Sequence, residues 1–427
     1  MLILAALTLL VLCAMVLIGI PVVVSLAGSV LLFLAFSGGW PMAFPQQVLA
    51  GVSDYILITL PLFIFAGGIM NVSGIANRLF DFCSALVGWM RGGLAQVDVV
   101  ASVMFGGMIG TSVADLAGSG SVTIPKLKSH GYPGPFACAV TATSSGIGVL
   151  IPPSSPMILY SVVTGTSLSS LFLAGVIPGL LMAGAMMVTI FLLARKHGWK
   201  QANPFAWGRV ISTGKSAILP LGMPAMLLGG LVFGIFTATE AGAFAVAYAL
   251  VLGGLVYREL DWEKLRVALV DSIILTGEVL MVVGFSTALG WALSQAGVPK
   301  ALAHGLDVLF PFESTFLRLM VLLVLALIAG MVLDPLIPMI MPVLLPALVA
   351  MDVDLVHFGV LIVMTVVIGQ VTPPVALAIL VAAKIGKEDV MAVTRANMPF
   401  LYALFVALMI LAMFPSISTF LPDLMKG

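Results

Sequence analysis

Apolar residues run along this chain in long, unbroken stretches, not in the every-other-residue alternation of a half-buried strand. The opening run, MLILAALTLLVLCAMVLIGIPVVVSLAGSVLLFLAF, sets the pattern. About 20 residues of helix cross a bilayer's hydrocarbon core. Stretches of that kind recur near 2–36, 53–72, 75–90, 133–164, 169–194, 213–235, 238–257, 268–295 and 391–415. Segments at 93–128, 298–311, 314–349 and 355–384 are shorter or interrupted by Gly, Pro, Ser and Thr. They predict re-entrant hairpins and broken helices, which a bilayer tolerates where the irregular backbone is buried in protein or lines a cavity. The opening run has no basic start and exceeds the core of a secretory signal, so it reads as a retained, broken membrane element.

Composition agrees with the pattern. Hydrophobic residues make up 61% of the 427 positions and charged residues 8%, against about 25% charged in a soluble domain. Too few charges remain to cover a water-exposed surface, and continuous runs favour a helical bundle over a β-barrel. With 18 basic and 18 acidic residues, nothing points to a nucleic-acid partner. The cysteines (Cys13, Cys83, Cys138) and histidines (His130, His197, His304, His357) have no metal-ligand spacing. Gly208 to Ser216 imitates a phosphate loop but has one residue too many between its glycines and no preceding strand.

Charge placement and internal similarity divide the chain. Residues 195–215 carry Arg195, Lys196, Lys200, Arg209 and Lys215 and no acidic residue, which predicts a cytoplasmic linker between a first repeat (1–194) and a second (216–427). Gly148-Val-Leu-Ile-Pro152-Pro153 matches Gly369-Gln-Val-Thr-Pro373-Pro374 at an offset of 221, and the same offset pairs Gly165 with Gly386 and Pro178 with Pro399. Asp115 pairs approximately with Asp334, and Ser73-Gly74 with Ala296-Gly297. Each repeat is expected to hold a hairpin (93–128; 314–349) and a Pro-Pro-broken helix (133–164; 355–384). Basic flanks on the first hairpin (Arg91, Lys126, Lys128) and acidic ones on the second (Glu313, Asp352, Asp354) suggest that the repeats are inverted. The mixed charges of 258–274 suggest a stretch lying along the membrane surface.

The candidate chemistry sits at the interruptions. Adjacent prolines unwind a helix, free backbone carbonyls and expose the positive end of the next half-helix. Carbonyls with the hydroxyls of Ser144, Ser145 and Thr372 suit a hard cation such as Na+; a kink that serves packing alone remains the alternative. The hairpin tips, Gly106 to Asp115 and Gly330 to Pro335, offer flexible turns, hydroxyls and the carboxylates Asp115 and Asp334. A mid-membrane Asp costs about 2.5–3.5 kcal/mol on insertion, so each either caps a half-helix or meets an ion or substrate. Glu240, after Thr237, suits the first turn of a helix. No nucleophile–base pair is visible, and two membrane aspartates leave an intramembrane aspartyl enzyme as a remote alternative.

Together, the Gly106–Asp115 run, Ile151-Pro-Pro-Ser-Ser-Pro156, Phe236-Thr-Ala-Thr-Glu240-Ala and Thr372-Pro-Pro374 resemble the large membrane subunit of tripartite ATP-independent periplasmic (TRAP) transporters over essentially the whole chain. The resemblance implies an all-α, elevator-type secondary transporter of the bacterial inner membrane, not an enzyme. It implies uptake of a C4-dicarboxylate, keto acid or sialic acid driven by Na+, with no other cofactor. A periplasmic substrate-binding protein and a separate small four-helix membrane subunit would be its partners in the lipid bilayer. Carried over by position, Na+ would be held by Gly110, Thr111, Ser112, Ser144, Ser145 and Gly148 at one site and Gly330, Gly369 and Thr372 at the other. Substrate would meet Asp115, Pro153, Ser154, Asp334 and Pro374. Proton coupling through Asp115 or Asp334 is the alternative drive.

Overall fold

The computed structural model describes residues 1–38, 41–109, 112–199, 204–309, 315–331 and 337–426. These residues form an all-helical protein. The N-terminal run splits into α1 (Leu2–Leu17) and α2 (Val22–Ser37). Gly19 at φ +93° turns the chain there, and Pro21 precedes the restart. Next come α3 (Ala43–Val52), α4 (Thr59–Val72), entered through a tight turn at Tyr55–Ile58, and α5 (Ile75–Val87). The paired helices α6 (Gly93–Ile109) and α7 (Ser112–Ser129) precede α8 (Gly134–Ser145) and α9 (Ser155–Thr164). They are followed by α10 (Leu168–His197), α11 (Trp207–Val232), α12 (Ala238–Leu250), which widens over Val251–Val256, and α13 (Trp262–Gln295). The rest is α14 (Val298–Leu309), α15 (Thr315–Gly330), α16 (Ile337–Ala350), α17 (Leu355–Gln370), α18 (Leu377–Gly386), α19 (Val390–Met413) and α20 (Ser416–Lys426).

Among the described residues, six segments are long and apolar enough to cross a membrane: Tyr55–Val72, α10, α11, Ala238–Val256, α13 and α19. The interruptions fall where the prolines predict. Some sequence expectations need correction. The 75–90 stretch holds only the 13-residue α5, about 20 Å long and too short to span by itself. Residues 258–261 precede α13, and Trp262 to Ile274 form its first turns, not a helix of their own. Asp261 caps α13 by accepting from the Lys264 N–H at 2.8 Å. In the basic linker, Arg195 to His197 form the last turn of α10, and Arg209 and Lys215 lie in α11. Asp354 caps α17, accepting from the Val356 and His357 N–H groups. Glu240 closes a reciprocal cap with Thr237 at the start of α12.

The helices fall into two groups that also touch each other, α13 and α14 packing on α16 and α4 and α5 on α6. In the first group α13 packs on α2, α3 and α4, α12 on α4, and α11 on α5. The other group crosses between the two halves of the chain: α9 packs on α16, α18 on α7 and α8, α17 on α10, and α19 on α8. Lys128 at the end of α7 donates to the Gly386 carbonyl at 2.9 Å and pairs with Glu388, joining the first hairpin to the end of α18. Gly386 leaves no room for a Cβ, which would overlap the Cys138 sulfur.

In the first group, the Arg78 guanidinium lies over the Tyr257 ring, 3.9 Å from its centroid, and pairs with Glu259. That pair ties α5 to the loop before α13. The hydrogen bond from Arg78 holds the Glu259 carboxyl below its ordinary range. A carboxyl depressed on folding adds stability above its unfolded value, and that stability is lost as pH falls through the folded value. Glu259→Gln is therefore expected to lower the unfolding midpoint at pH 7 by a small amount, since exposed pairs contribute roughly 0–1 kcal/mol, and to match the parent in strong acid. Equal midpoints at pH 7 would show that the pair contributes nothing.

Candidate functional site

Two interrupted helices meet at the centre of the crossed group. In the first, α8 ends at Ser145, a tight turn covers Ile147–Val149, and a non-helical stretch with a cis Pro152–Pro153 bond leads to α9. Ser154 caps α9, its hydroxyl accepting from the Met157 N–H at 3.4 Å. In the second, α17 ends at Gln370, the Pro373–Pro374 bond is again cis, and α18 starts at Leu377. Here the entry residue is Ala376, a buried non-glycine held at φ +51°, a left-handed conformation that costs about 1–2 kcal/mol. The first break is buried throughout, whereas Pro374 of the second is exposed.

The prolines decide which carbonyls are released. Pro152 and Pro373 each stand four residues after a glycine, Gly148 and Gly369. A proline cannot donate the N–H that those carbonyls would receive in a continuous helix. At the second break the Thr372 N–H bonds the Gly369 carbonyl at 3.0 Å instead, and one lone pair remains. The hydroxyls point their protons back into the helices: Ser145 donates to the Ala142 carbonyl at 2.9 Å and Thr372 to the Ile368 carbonyl at 2.6 Å. Each oxygen keeps lone pairs for a further partner. This all-oxygen set fits a hard monovalent cation. Among the described residues no group of three His, Cys, Asp or Glu side chains could hold a metal of another kind.

Each break is pressed against a hairpin helix at a glycine. A Cβ on Gly148 would sit 2.8 Å from the Gly106 Cα in α6, and one on Gly369 would sit 2.9 Å from the Gly330 carbonyl carbon in α15. The two breaks also touch each other, since Gly146 lies against Val367 of α17.

The sequence-predicted residues divide on this map. Ser144, Ser145, Gly148, Pro153 and Ser154 gather at the first break, and Gly330, Gly369, Thr372 and Pro374 at the second. Ser112 opens α7 and Asp115 lies in its first turn. Gly110, Thr111 and Asp334 fall outside the described residues.

Sequence reasoning missed two polar residues. Asp98, on α6 and 3% exposed, accepts a hydrogen bond from the Ser144 hydroxyl at 3.1 Å. Asn397, on α19 and 1% exposed, bridges both breaks. Its amide oxygen accepts from the Thr143 hydroxyl at 2.5 Å, and its amide N–H donates to the Val371 carbonyl at 3.1 Å. The available signal was a polar residue in a largely apolar stretch, beside Gln96 for Asp98 and beside Thr394 and Arg395 for Asn397.

Apolar spans surrounding paired, proline-broken helices define a multi-pass membrane transporter. The family model described as "Tripartite ATP-independent periplasmic transporter, DctM component" matches residues 9–417. The sialic acid TRAP transporter large permease protein SiaM of Vibrio cholerae is 35% identical over 410 residues, covering 96% of each chain. The C4-dicarboxylate large permease DctM of the same species is 31% identical, covering 97% of this chain and 96% of its own. The ectoine large permease TeaC of Halomonas elongata is 32% identical, covering 96% of both. A crystal structure of the Alcanivorax borkumensis YdaH transporter shares the fold at a TM-score of 0.59 over 87% of each chain, with 13% identity. The chain belongs to the DctM family: it is the large membrane subunit of a TRAP transporter, and not an enzyme.

Proposed function

We propose that this chain takes up a small organic anion across the bacterial inner membrane by Na+ symport. Sialic acid, C4-dicarboxylates and ectoine are named for its relatives; the acid class is the one proposed here. A periplasmic binding protein delivers the substrate, and a small membrane subunit completes the transporter. The observation that carries the reading is the pair of proline-broken helices, each with a glycine carbonyl that has lost its helical donor to a proline and a hydroxyl with lone pairs to spare, and each pressed on a hairpin glycine. A bound Na+ at each break would supply positive charge for an anion between the hairpin tips. Moving one net charge down 100 mV yields about 2.3 kcal/mol, so any excess of Na+ charge over substrate charge draws on the membrane potential.

The same pairing supports two inverted repeats, 1–194 and 216–427, joined by a cytoplasmic linker. The turns at Gly74 and Gly297, both at positive φ, and the prolines inside α10 and α19 add to it. The two packing groups are consistent with an elevator: α6–α10 with α15–α20 as the moving body, α1–α5 with α11–α14 as the scaffold, and the contacts of α13 and α14 with α16 and of α4 and α5 with α6 as the interface between them.

The test is uptake into proteoliposomes containing both membrane subunits, with the binding protein outside and an imposed Na+ or pH gradient. A Na+ gradient alone is expected to drive accumulation. Ser145→Ala and Thr372→Ala are each expected to raise the Na+ concentration needed for half-maximal uptake by about tenfold, the upper range for a hydrogen-bonding hydroxyl. Accumulation driven by the pH gradient without Na+ would replace this reading with proton coupling. Unchanged Na+ dependence in both variants would remove the hydroxyls from the ligand set.

A further inference from the structure

The two breaks are alike in backbone and unlike in charge. Eight positions before the hairpin glycine stands Asp98 in the first half and Leu322 in the second. Four positions before the break glycine stands Ser144 in the first half and Thr365 in the second. All four side chains are buried. In the second half Thr365 donates to the Leu361 carbonyl of its own helix at 2.8 Å. In the first, the Ser144 hydroxyl lies 3.1 Å from both the Thr141 carbonyl and the Asp98 carboxylate. The Thr141 hydroxyl, also buried, lies beside the same carboxylate. Among the described residues no basic side chain forms an ion pair with Asp98.

A buried carboxylate with only hydroxyl neighbours lacks a counter-charge, and burial of an uncompensated charge is costly. Ser144, which donates to Asp98, also borders the oxygen-lined first break, so a positive charge held there would lie on the far side of the same hydroxyl. A cation held there by neutral oxygens alone would meet the same cost from the opposite side. Each charge offsets the other's desolvation, and at short range in a medium drier than water the attraction is far stronger than at a surface.

We propose that Asp98 is the fixed counter-charge of the first cation site, a positioning residue that acts through Ser144 and makes the first break bind its cation more tightly than the second. The inference rests on the Na+ reading above and adds an inequality between two sites of similar backbone. Leu322 leaves the second break without an equivalent charge.

The test uses the full-length chain, purified and titrated with NaCl at constant ionic strength maintained with choline chloride. Thermal unfolding and isothermal titration calorimetry are the readouts, so no transport is required. The parent is expected to titrate in two phases. Asp98→Asn keeps the shape and an acceptor for Ser144 but removes the charge. It is expected to weaken the tighter phase about tenfold or more, about 1.4 kcal/mol per tenfold, and to leave the weaker phase in place. Asp98→Glu is expected to retain part of the tight phase, which a purely steric role would not predict. If Asp98→Asn fails to fold, the parent curve still decides: a single class of equal sites overturns the inequality. Unchanged Na+ affinity in a folded Asp98→Asn protein overturns the role of Asp98 and leaves Na+ symport standing. No response of the parent to Na+ overturns both.

Discussion

Adding one methyl group at Gly106 is expected to lower the unfolding midpoint by several degrees and to remove most Na+-dependent uptake. The new Cβ would overlap the Gly148 backbone at the first break. Both partners are backbone atoms, so no flexible side chain can turn aside. The α6 helix must shift outward, or the turn at Ile147–Val149 must move. Overpacking of this kind costs about 1–3 kcal/mol. Its effect on function is larger than that cost implies, because the displaced atoms include the carbonyl that Pro152 releases. Gly369→Ala repeats the insult at the second break, where the Cβ would lie 2.9 Å from the Gly330 carbonyl carbon. Gly184→Ala is the control: it lies inside α10 with nothing within 4 Å of the added atom, and is expected to be neutral or slightly stabilising, by up to about 1 kcal/mol. Thermal unfolding in detergent and Na+-driven uptake check all three. A Gly106→Ala protein with the parent's midpoint and Na+ dependence would show that the close approach of hairpin and break is not needed.

What the sequence revealed here is what local chemistry dictates. Pro152-Pro153 and Pro373-Pro374 announce their breaks because a missing N–H acts on the carbonyl four residues earlier, whatever the rest of the fold does. Thr237 and Glu240 announce a helix start for a similar reason: their reciprocal bonds span three residues. The charged run at 258–266 did not reveal where its helix begins, because charge density alone does not separate a short helix of its own from the first turns of a long one; the cap at Asp261 places the start of α13 at Trp262. Asp98 and Asn397 stayed hidden because their meaning is set by residues 46 and 254 positions away. A polar residue in a largely apolar stretch is compatible with a cavity, a cap or a partner, and only packing of α6 and α19 against α8 selects among these.

Asn397 marks the most sensitive point of that packing, and Asn397→Ala is expected to cost about 2–4 kcal/mol of stability. Its amide orientation is fixed by its partners: the Val371 carbonyl can only accept, so the nitrogen faces it and the oxygen faces Thr143. Truncation leaves the Val371 carbonyl without this donor in a dry interior, at about 1–3 kcal/mol, and adds a small cavity. Thr143 suffers less, since its hydroxyl can turn to a carbonyl of its own helix. Val371 begins the second break and Thr143 lies one residue before Ser144 at the first, so both breaks lose a shared anchor. The Na+ titration is therefore expected to weaken in both phases, in contrast to the single phase affected by Asp98→Asn. Thr143→Val separates the two halves of the anchor: it removes the hydroxyl donated to Asn397 and leaves the amide bond to the Val371 carbonyl. An intact second-break phase in that variant would assign the second-break effect of Asn397→Ala to the Val371 carbonyl. An Asn397→Ala protein that unfolds at the parent's temperature, with both phases intact, would mean that the two breaks are held in register by apolar packing alone.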